Sequence, residues 1–163
     1  MRKTLLIAAA ALVGCGSEQI TNQGLDPDFA YGSTDLESYE FPDSGDFSDM
    51  TIRWVFTNRS DQTVWVHECG APDPWLQQLV DGEWFVRGGP RADCFGAHQV
   101  RAGEELFGEL AVSRSDLYSS FPAPSGPIAG VYRLIWNAHY EYDPPAGDLP
   151  VALRISNQFV IRD

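Results

Sequence analysis

Two cysteines and two histidines are the residues of this 163-residue chain whose spacing could support chemistry. His67 lies two positions before Cys69, and Cys94 lies four positions before His98. Two imidazoles and two thiolates could complete a tetrahedral zinc site or a copper site, although the spacings match no standard zinc finger. The two thiols could instead form a disulfide, closing a loop of about 26 residues worth ~3 kcal/mol in the chain-entropy model. The choice depends on whether the chain is exported.

The N-terminus indicates export. Residues 2 and 3 are basic, and the nine apolar residues at 5–13 are too few to cross a bilayer but suit the core of a signal peptide. Residues 12–15, with the sequence LVGC, resemble a bacterial lipobox. This resemblance implies that residues 1–14 form a lipoprotein signal peptide and that Cys15 is acylated, which anchors the chain to a membrane.

Export also bears on the other two cysteines. Because exported proteins fold in an oxidising compartment, we expect a Cys69–Cys94 disulfide, with the metal site of His67, Cys69, Cys94 and His98 as the alternative. The residue after Cys15 is Gly16 rather than an aspartate, which resembles the sorting pattern for the outer membrane of double-membraned bacteria. The predicted location is therefore the bacterial cell envelope, with outer-membrane attachment through Cys15.

Charge divides the rest of the chain into a tether and a domain. The 23 acidic residues outnumber the 11 basic ones, and the resulting net charge of -12 argues against nucleic acid as a partner. Residues 15–49 hold nine acidic residues and no basic one. Because like charges repel and extend a chain, this segment is predicted to be a tether, whose part near Tyr39–Phe47 could add an edge strand to the domain at 50–163.

The pattern from residue 51 onward is that of short strands. Apolar and polar residues alternate from Ile52 to Phe56, and Asp81-Gly82 is a strong signal for a two-residue hairpin turn. Val131–Tyr142 and Val151–Ile161 are predicted as the longest strands, and only residues 113–121 suggest a helical turn. About seven to eight strands separated by turn residues predict an all-β, antiparallel sandwich.

Five short motifs follow one another along residues 50–163: Thr57-Asn58-Arg59-Ser60, Leu79-Val80-Asp81-Gly82-Glu83-Trp84, Ala102-Gly103-Glu104, Gly130-Val131-Tyr132-Arg133-Leu134 and Ser156-Asn157-Gln158-Phe159. In this order they resemble a bacterial immunoglobulin-like (Ig-like) domain family found in exported proteins. The resemblance implies an Ig-like sandwich without enzymatic activity, and it brings no ligand site with it. Tyr132 falls where such sandwiches place a tyrosine corner, in which the hydroxyl bonds to upstream backbone.

Catalytic motifs are missing from the sequence. It holds no Gly-x-Ser-x-Gly nucleophile elbow and no glycine loop that cradles phosphate, so we expect neither an enzyme nor a bound cofactor. Of the five tryptophans, Trp65 and Trp75 are predicted to be exposed, and they are the candidate binding surface.

These observations predict a monomeric, lipid-anchored Ig-like domain with a binding or structural role toward an envelope protein. Exposed sheet edges and loops would meet the partner. Two alternatives stay open. One is a protease inhibitor that acts through the loop Ser119–Pro127 or Asp143–Pro150, and the other is the envelope metal-binding protein described above.

Overall fold

A computed structural model describes residues 31–42, 49–68, 71–90, 96–119, 127–142 and 149–162. They form eleven strands, one short helix and one turn of 3₁₀ helix. The elements in chain order are β1 (Gly32–Thr34), β2 (Ser38–Glu40), β3 (Asp49–Thr57), β4 (Val64–Glu68), β5 (Trp75–Val80), β6 (Glu83–Gly88), β7 (Gly96–Val100), β8 (Glu105–Ser113), α1 (Arg114–Ser119), β9 (Gly130–Ile135), β10 (Ala138–His139), the 3₁₀ turn (Val151–Leu153) and β11 (Phe159–Arg162). Within these ranges no helix is long and apolar enough to span a membrane.

The strands form three sheets. The front sheet has the order β2-β11-β9-β5-β6, the back sheet β1-β3-β8, and a small third sheet β10-β4-β7. Neighbouring strands are antiparallel except β2 and β11, which are parallel. With β3 and β8 as Ig strands B and E, and β5, β6, β9 and β11 as C, C′, F and G, the two larger sheets have the strand order of an Ig-like sandwich. The protein is an all-β sandwich of this kind.

Alternation of side chains builds the core between the two large sheets. In β3 the residues Ile52, Trp54 and Phe56 are buried while their neighbours are more exposed, as their period of two predicts. The indole of Trp136, just after β9, lies 5.5 Å from the Trp54 ring and 5.3 Å from the Phe56 ring, between centroids. These aromatic contacts hold the front sheet against the back sheet.

The chain changes sheets at two places. After β3 the backbone N–H of Asn58 donates to the carbonyl of Glu104, and the Asn58 carbonyl accepts from the N–H of Gly103. These two bonds join the β3–β4 connection to the β7–β8 connection, where the chain passes between the back sheet and the third sheet. After β9 the N–H of Trp136 donates to Arg154, whereas the carbonyl of Asn137 accepts from His67 of the third sheet. The prediction of one strand over Val131–Tyr142 was therefore wrong, because the two ends of that segment find partners in different sheets.

The second long strand was also predicted wrongly. Residues Val151–Leu153 form a 3₁₀ turn, and the strand begins only at Phe159. Between them, Ile155 makes an isolated bridge with Ile135, and the hydroxyl of Ser156 accepts the N–H of Leu134 at 2.9 Å. This segment therefore follows the front sheet through single contacts rather than a continuous ladder.

Local signals account for the turn, the helix and a buried tyrosine. Asp81 and Gly82 have φ values of 51° and 88°, which the hairpin turn between β5 and β6 requires. Helix α1 follows β8, and its Leu117 is buried in the core. The hydroxyl of Tyr132 donates to the carbonyl of Ile128 at 2.5 Å, which is the geometry of a tyrosine corner.

Residues 31–42 belong to the sandwich in this structure. Strand β1 pairs with β3, and β2 pairs with β11. Tyr39 of β2 is buried with its ring 5.2 Å from that of Phe159, and its hydroxyl donates to Asp35 at 2.6 Å. Burial, reinforced by the Asp35 carboxylate, raises the pKa of Tyr39 to about 12 from 10.

We expect this tyrosine to make stability depend on alkaline pH. The folded state holds the Tyr39 proton more tightly than the unfolded chain does, so its contribution is complete below pH 10 and is lost as the pH rises toward 12. Urea unfolding across this range should show a smaller loss of stability for Tyr39→Phe than for the wild type. An identical loss in the two proteins would contradict this assignment.

Several predicted features lie outside the described residues. They are the signal peptide at 1–14, the acylated Cys15, and both Cys69 and Cys94. The disulfide and the lipid anchor therefore remain predictions.

Candidate binding surface

Part of the outer surface of the front sheet is apolar. Because side chains alternate, Leu76 and Leu134 point into the core while Trp75 and its register partner Ile135 lie on the outside. Val86 and Trp84 of the edge strand β6 share this side through their partners on β5. We call this surface, formed by Trp75, Trp84, Val86, Arg133 and Ile135, the front face.

A groove lies at one end of the front face. It has a volume of about 250 Å³ and is lined by Trp75, Val86, Ile135, Trp136, Asn137 and Arg154. Trp75 is 37% exposed and Val86 39%. The Trp75 indole rests on Gly89, where a Cβ atom would lie 2.5 Å from the ring. A glycine at this position therefore lets a large apolar side chain lie close to the backbone.

Arg133 is the charged residue among the five that define the front face, and a second arginine, Arg154, lines the groove at its end. Arg133 is only 5% exposed, its Nε donates to Gln77 Oε1 at 2.8 Å, and its guanidinium carbon lies 4.1 Å from the centre of the Trp84 ring. Among the described residues its Nη1 is buried without a hydrogen-bond partner. Burial lowers the pKa of Arg133 to about 10, so the group is still charged at neutral pH.

No carboxylate within the described ranges pairs with Arg133. The ion pairs seen there involve other residues, such as Arg53 with Glu109 and Arg162 with Glu40. The interactions that the structure gives Arg133 are the bond to Gln77 and the stacking on Trp84. A cation that is buried with so little compensation is costly to the fold.

The two predicted surface tryptophans lie in different sheets. Trp75 is on the front face, as described above. Trp65 is half-buried on β4 of the third sheet, where its ring meets that of Tyr142 edge-on at 5.1 Å. The structure therefore provides two separate aromatic sites rather than one surface.

The histidines of the metal alternative lie on opposite sides of the third sheet. His98 pairs in register with Val66, so it shares a face with Val66 while His67 points to the other face. The His67 ring packs edge-on against His139 at 4.9 Å, and His98 Nδ1 lies 3.7 Å from Glu68. In the described part of the chain, no three His, Cys, Asp or Glu side chains form a group that could hold a metal ion.

Most of each inhibitory loop falls outside the described residues. Of Ser119–Pro127 the structure describes the two end residues, and of Asp143–Pro150 it describes Leu149 and Pro150. Leu149 is buried, and its N–H donates to the carbonyl of Ala138. These contacts tie the end of the second loop to β10 but give no sign of an inhibitory conformation.

Sequence reasoning missed Arg133 and Trp84 as candidate residues. Both stand in motifs that resemble the Ig-like family, but there they indicate the fold and not a binding site. A usable signal exists in hindsight, since Arg133 alternates with Tyr132 and Leu134 and must lie on the opposite face from them. That Trp84 and Gln77 meet it there depends on strand pairing, which the sequence does not state.

Comparison with known proteins identifies no family. No family model matches the sequence, and no curated protein matches it. The structure is similar to part of a β-glucosidase from Listeria innocua, with 8% identity and a TM-score of 0.32 over 80% of this chain and 15% of the enzyme. It is also similar to part of the alkylpurine DNA glycosylase AlkC of Pseudomonas fluorescens, with 9% identity and a TM-score of 0.34 over 82% and 31% of the two chains.

A third similar structure is a PapD-like domain of human CEP192, with 13% identity and a TM-score of 0.32 over 96% of this chain and 94% of that domain. The chain spans less than a third of the length of the two enzymes. Similarities this distant carry no argument about function, so a proposal has to come from the surface itself.

Proposed function

We propose that this protein is a lipid-anchored Ig-like domain of the bacterial cell envelope, that it is not an enzyme, and that it binds an envelope protein through its front face. The observation that carries the proposal is the front face itself. Exposed Trp75 and Val86 flank an apolar groove in a chain whose net charge is -12. Apolar patches on otherwise charged surfaces are typical of protein interfaces, and tryptophan is enriched at their energetic centres.

Rigidity of the front face supports binding. The Trp75 indole lies against the backbone of Gly89, and the groove floor includes Trp136, which is fully buried in the core. Side chains held in place before binding lose little entropy when a partner arrives. A partner would therefore meet a preformed groove beside Trp75.

The proposed location rests on the sequence around Cys15. Two or three acyl chains give stable membrane attachment without help from basic residues, which suits an acidic protein. The segment that follows Cys15 would then separate the front face from the bilayer.

Acylation of Cys15 is tested by metabolic labelling with radioactive palmitate. We expect label in the wild type and none in Cys15→Ala, because the thiol is the proposed acceptor. Cys94→Ala is the matched control, since it also removes a cysteine but should label like the wild type. Equal labelling of Cys15→Ala and the wild type would show that the lipoprotein assignment is wrong.

Binding through the front face is tested by a photo-crosslinking amino acid placed at Val86 in cells. We expect a discrete adduct there, reduced at least tenfold by a second change, Trp75→Ala, because truncation of a central tryptophan commonly costs 2 kcal/mol or more, about 30-fold in affinity.

The same photo-crosslinker at Phe107 is the control. Phe107 is 68% exposed but lies on the back sheet, so it should give no such adduct. Equal adducts from both positions, or none from Val86, would argue against the front face as the interface. Trp75→Ala should keep its fold, which a melting curve checks.

A further inference from the structure

Arg133 has no evident role in the stability of the domain. An ionised side chain removed from water costs several kcal/mol unless it is well paired. Here Gln77 Oε1 and the Trp84 ring supply part of the lost solvation, and Nη1 has no partner within the described part of the chain. The chain contains 23 acidic residues, yet none of those in the described ranges is placed beside Arg133. An apolar side chain of similar length would fit this environment at lower cost.

Its position links Arg133 to the front face. Gln77, which binds Arg133 Nε, is paired in register with Val86, and Trp84 stacks on the guanidinium from the edge strand β6. The positive charge therefore lies among the largely apolar residues of the front face, where a bound partner would remove the remaining water. When water is excluded from the interface, a single negative charge on the partner is strongly attracted to Arg133, whereas an uncharged group is not.

We propose that the partner bound to the front face presents a carboxylate that pairs with Arg133, next to an apolar side chain that fills the groove beside Trp75. This inference rests on the proposed function and names the chemistry of the partner. A carboxylate matches the planar fork of a guanidinium and carries the one charge needed to neutralise it. Because Nη1 is buried, the pairing requires the indole of Trp84, which is half-buried on an edge strand, to move aside when the carboxylate binds.

The test uses random 12-residue peptides displayed on phage and selected on the full chain in detergent. Selected peptides are synthesised in two forms, with each Asp or Glu retained or replaced by Asn or Gln. On the wild type we expect the amide form to bind about 10- to 100-fold more weakly, since a hydrogen bond to a charged group contributes about 1.5–3 kcal/mol. On Arg133→Met the two forms should differ by less than about threefold.

Two further variants sharpen the comparison. Arg162→Met removes an exposed arginine of the same sheet, whose partner is Glu40, and should keep the full preference for the carboxylate. Arg133→Lys keeps the charge but not the fork, so it should keep part of the preference. We also expect Arg133→Met to melt at or above the wild-type temperature, and a melting temperature lowered by many degrees would assign Arg133 a structural role and overturn the inference.

The outcomes separate this inference from the proposed function. If peptides bind in a way that Trp75→Ala abolishes, yet the amide forms bind as well as the acids, the carboxylate inference is wrong and the front face remains a binding surface. If no selected peptide depends on Trp75, both the proposed surface and the carboxylate inference are wrong. If Arg133→Met does not fold, Arg133 has a structural role and the inference is wrong; a carboxylate preference that Arg133→Lys leaves wholly unchanged also counts against it.

Discussion

Replacing Asn58 with alanine is expected to lower the free energy of unfolding by about 3 kcal/mol. The side chain is fully buried, and its amide donates to the carbonyl oxygens of Gln62 at 2.7 Å and Val100 at 2.9 Å. Its Oδ1 accepts from the N–H of Ser60 at 3.0 Å and from the Ser60 hydroxyl at 2.7 Å. Alanine removes all four of these bonds at the point where the chain passes from the back sheet to the third sheet, and of the groups that lose them the Ser60 hydroxyl and the Gln62 carbonyl still bond each other at 3.0 Å.

Two other variants test the physical reason. Asn58→Asp keeps an acceptor for Ser60 but loses both donors and buries a charge, so it should destabilise at least as much as alanine. Gln62→Ala removes an exposed amide from the same turn but keeps the carbonyl that Asn58 binds, so it should stay within about 0.5 kcal/mol of the wild type. Urea unfolding measures all three, and a change below about 1 kcal/mol for Asn58→Ala would show that the buried amide is not essential.

The second large effect is expected from Gly108→Ala, which should destabilise the domain by about 2–3 kcal/mol through overpacking. Gly108 lies opposite Trp54 in the β3–β8 ladder. A Cβ atom there would come within 2.2 Å of Trp54 Cζ2 and 2.6 Å of Cε2. The indole is buried and in contact with Trp136, so it cannot yield without disturbing the centre of the core.

A double-mutant cycle isolates this contact. In a Trp54→Leu background the indole atoms nearest to Gly108 are gone, so adding Gly108→Ala should cost less than about 1 kcal/mol. Gly88→Ala is the matched control in another strand, because its Cβ would meet only Leu76 Cβ at an ordinary 4.0 Å. If Gly108→Ala costs the same in both backgrounds, steric exclusion by the indole is not its cause.

The core contacts and the front face depend on each other. A Cβ on Gly32 would lie 2.2 Å from Trp136 Cζ3. Trp136 therefore packs against a glycine of the back sheet, as Trp54 packs against Gly108. Trp136 also lines the groove of the front face. Changes that shift the paired tryptophans should therefore alter the groove as well as the stability.

Much of the fold could be predicted from local patterns. Alternation predicted the buried face of β3, where Ile52, Trp54 and Phe56 are buried. The helical turn near residue 114 and the all-β sandwich were also predicted. Long strands through Trp136 and through Val151 were predicted wrongly, because alternation in sequence does not say with which sheet each residue pairs.

The residues of the candidate site were likewise predicted only where local features of the sequence decide them. Trp75 was predicted to be an exposed binding residue from its residue type and its neighbours in the sequence, which are local features. The amino-acid sequence by itself determined which residues alternate, where hairpins turn and how acidic the chain is, since these depend on neighbours a few positions apart. Only the tertiary structure brought Arg133 beneath Trp84 and beside Gln77, and set His67 against His139 rather than His98. Those contacts join residues of different strands, and strand register depends on packing of the whole sandwich.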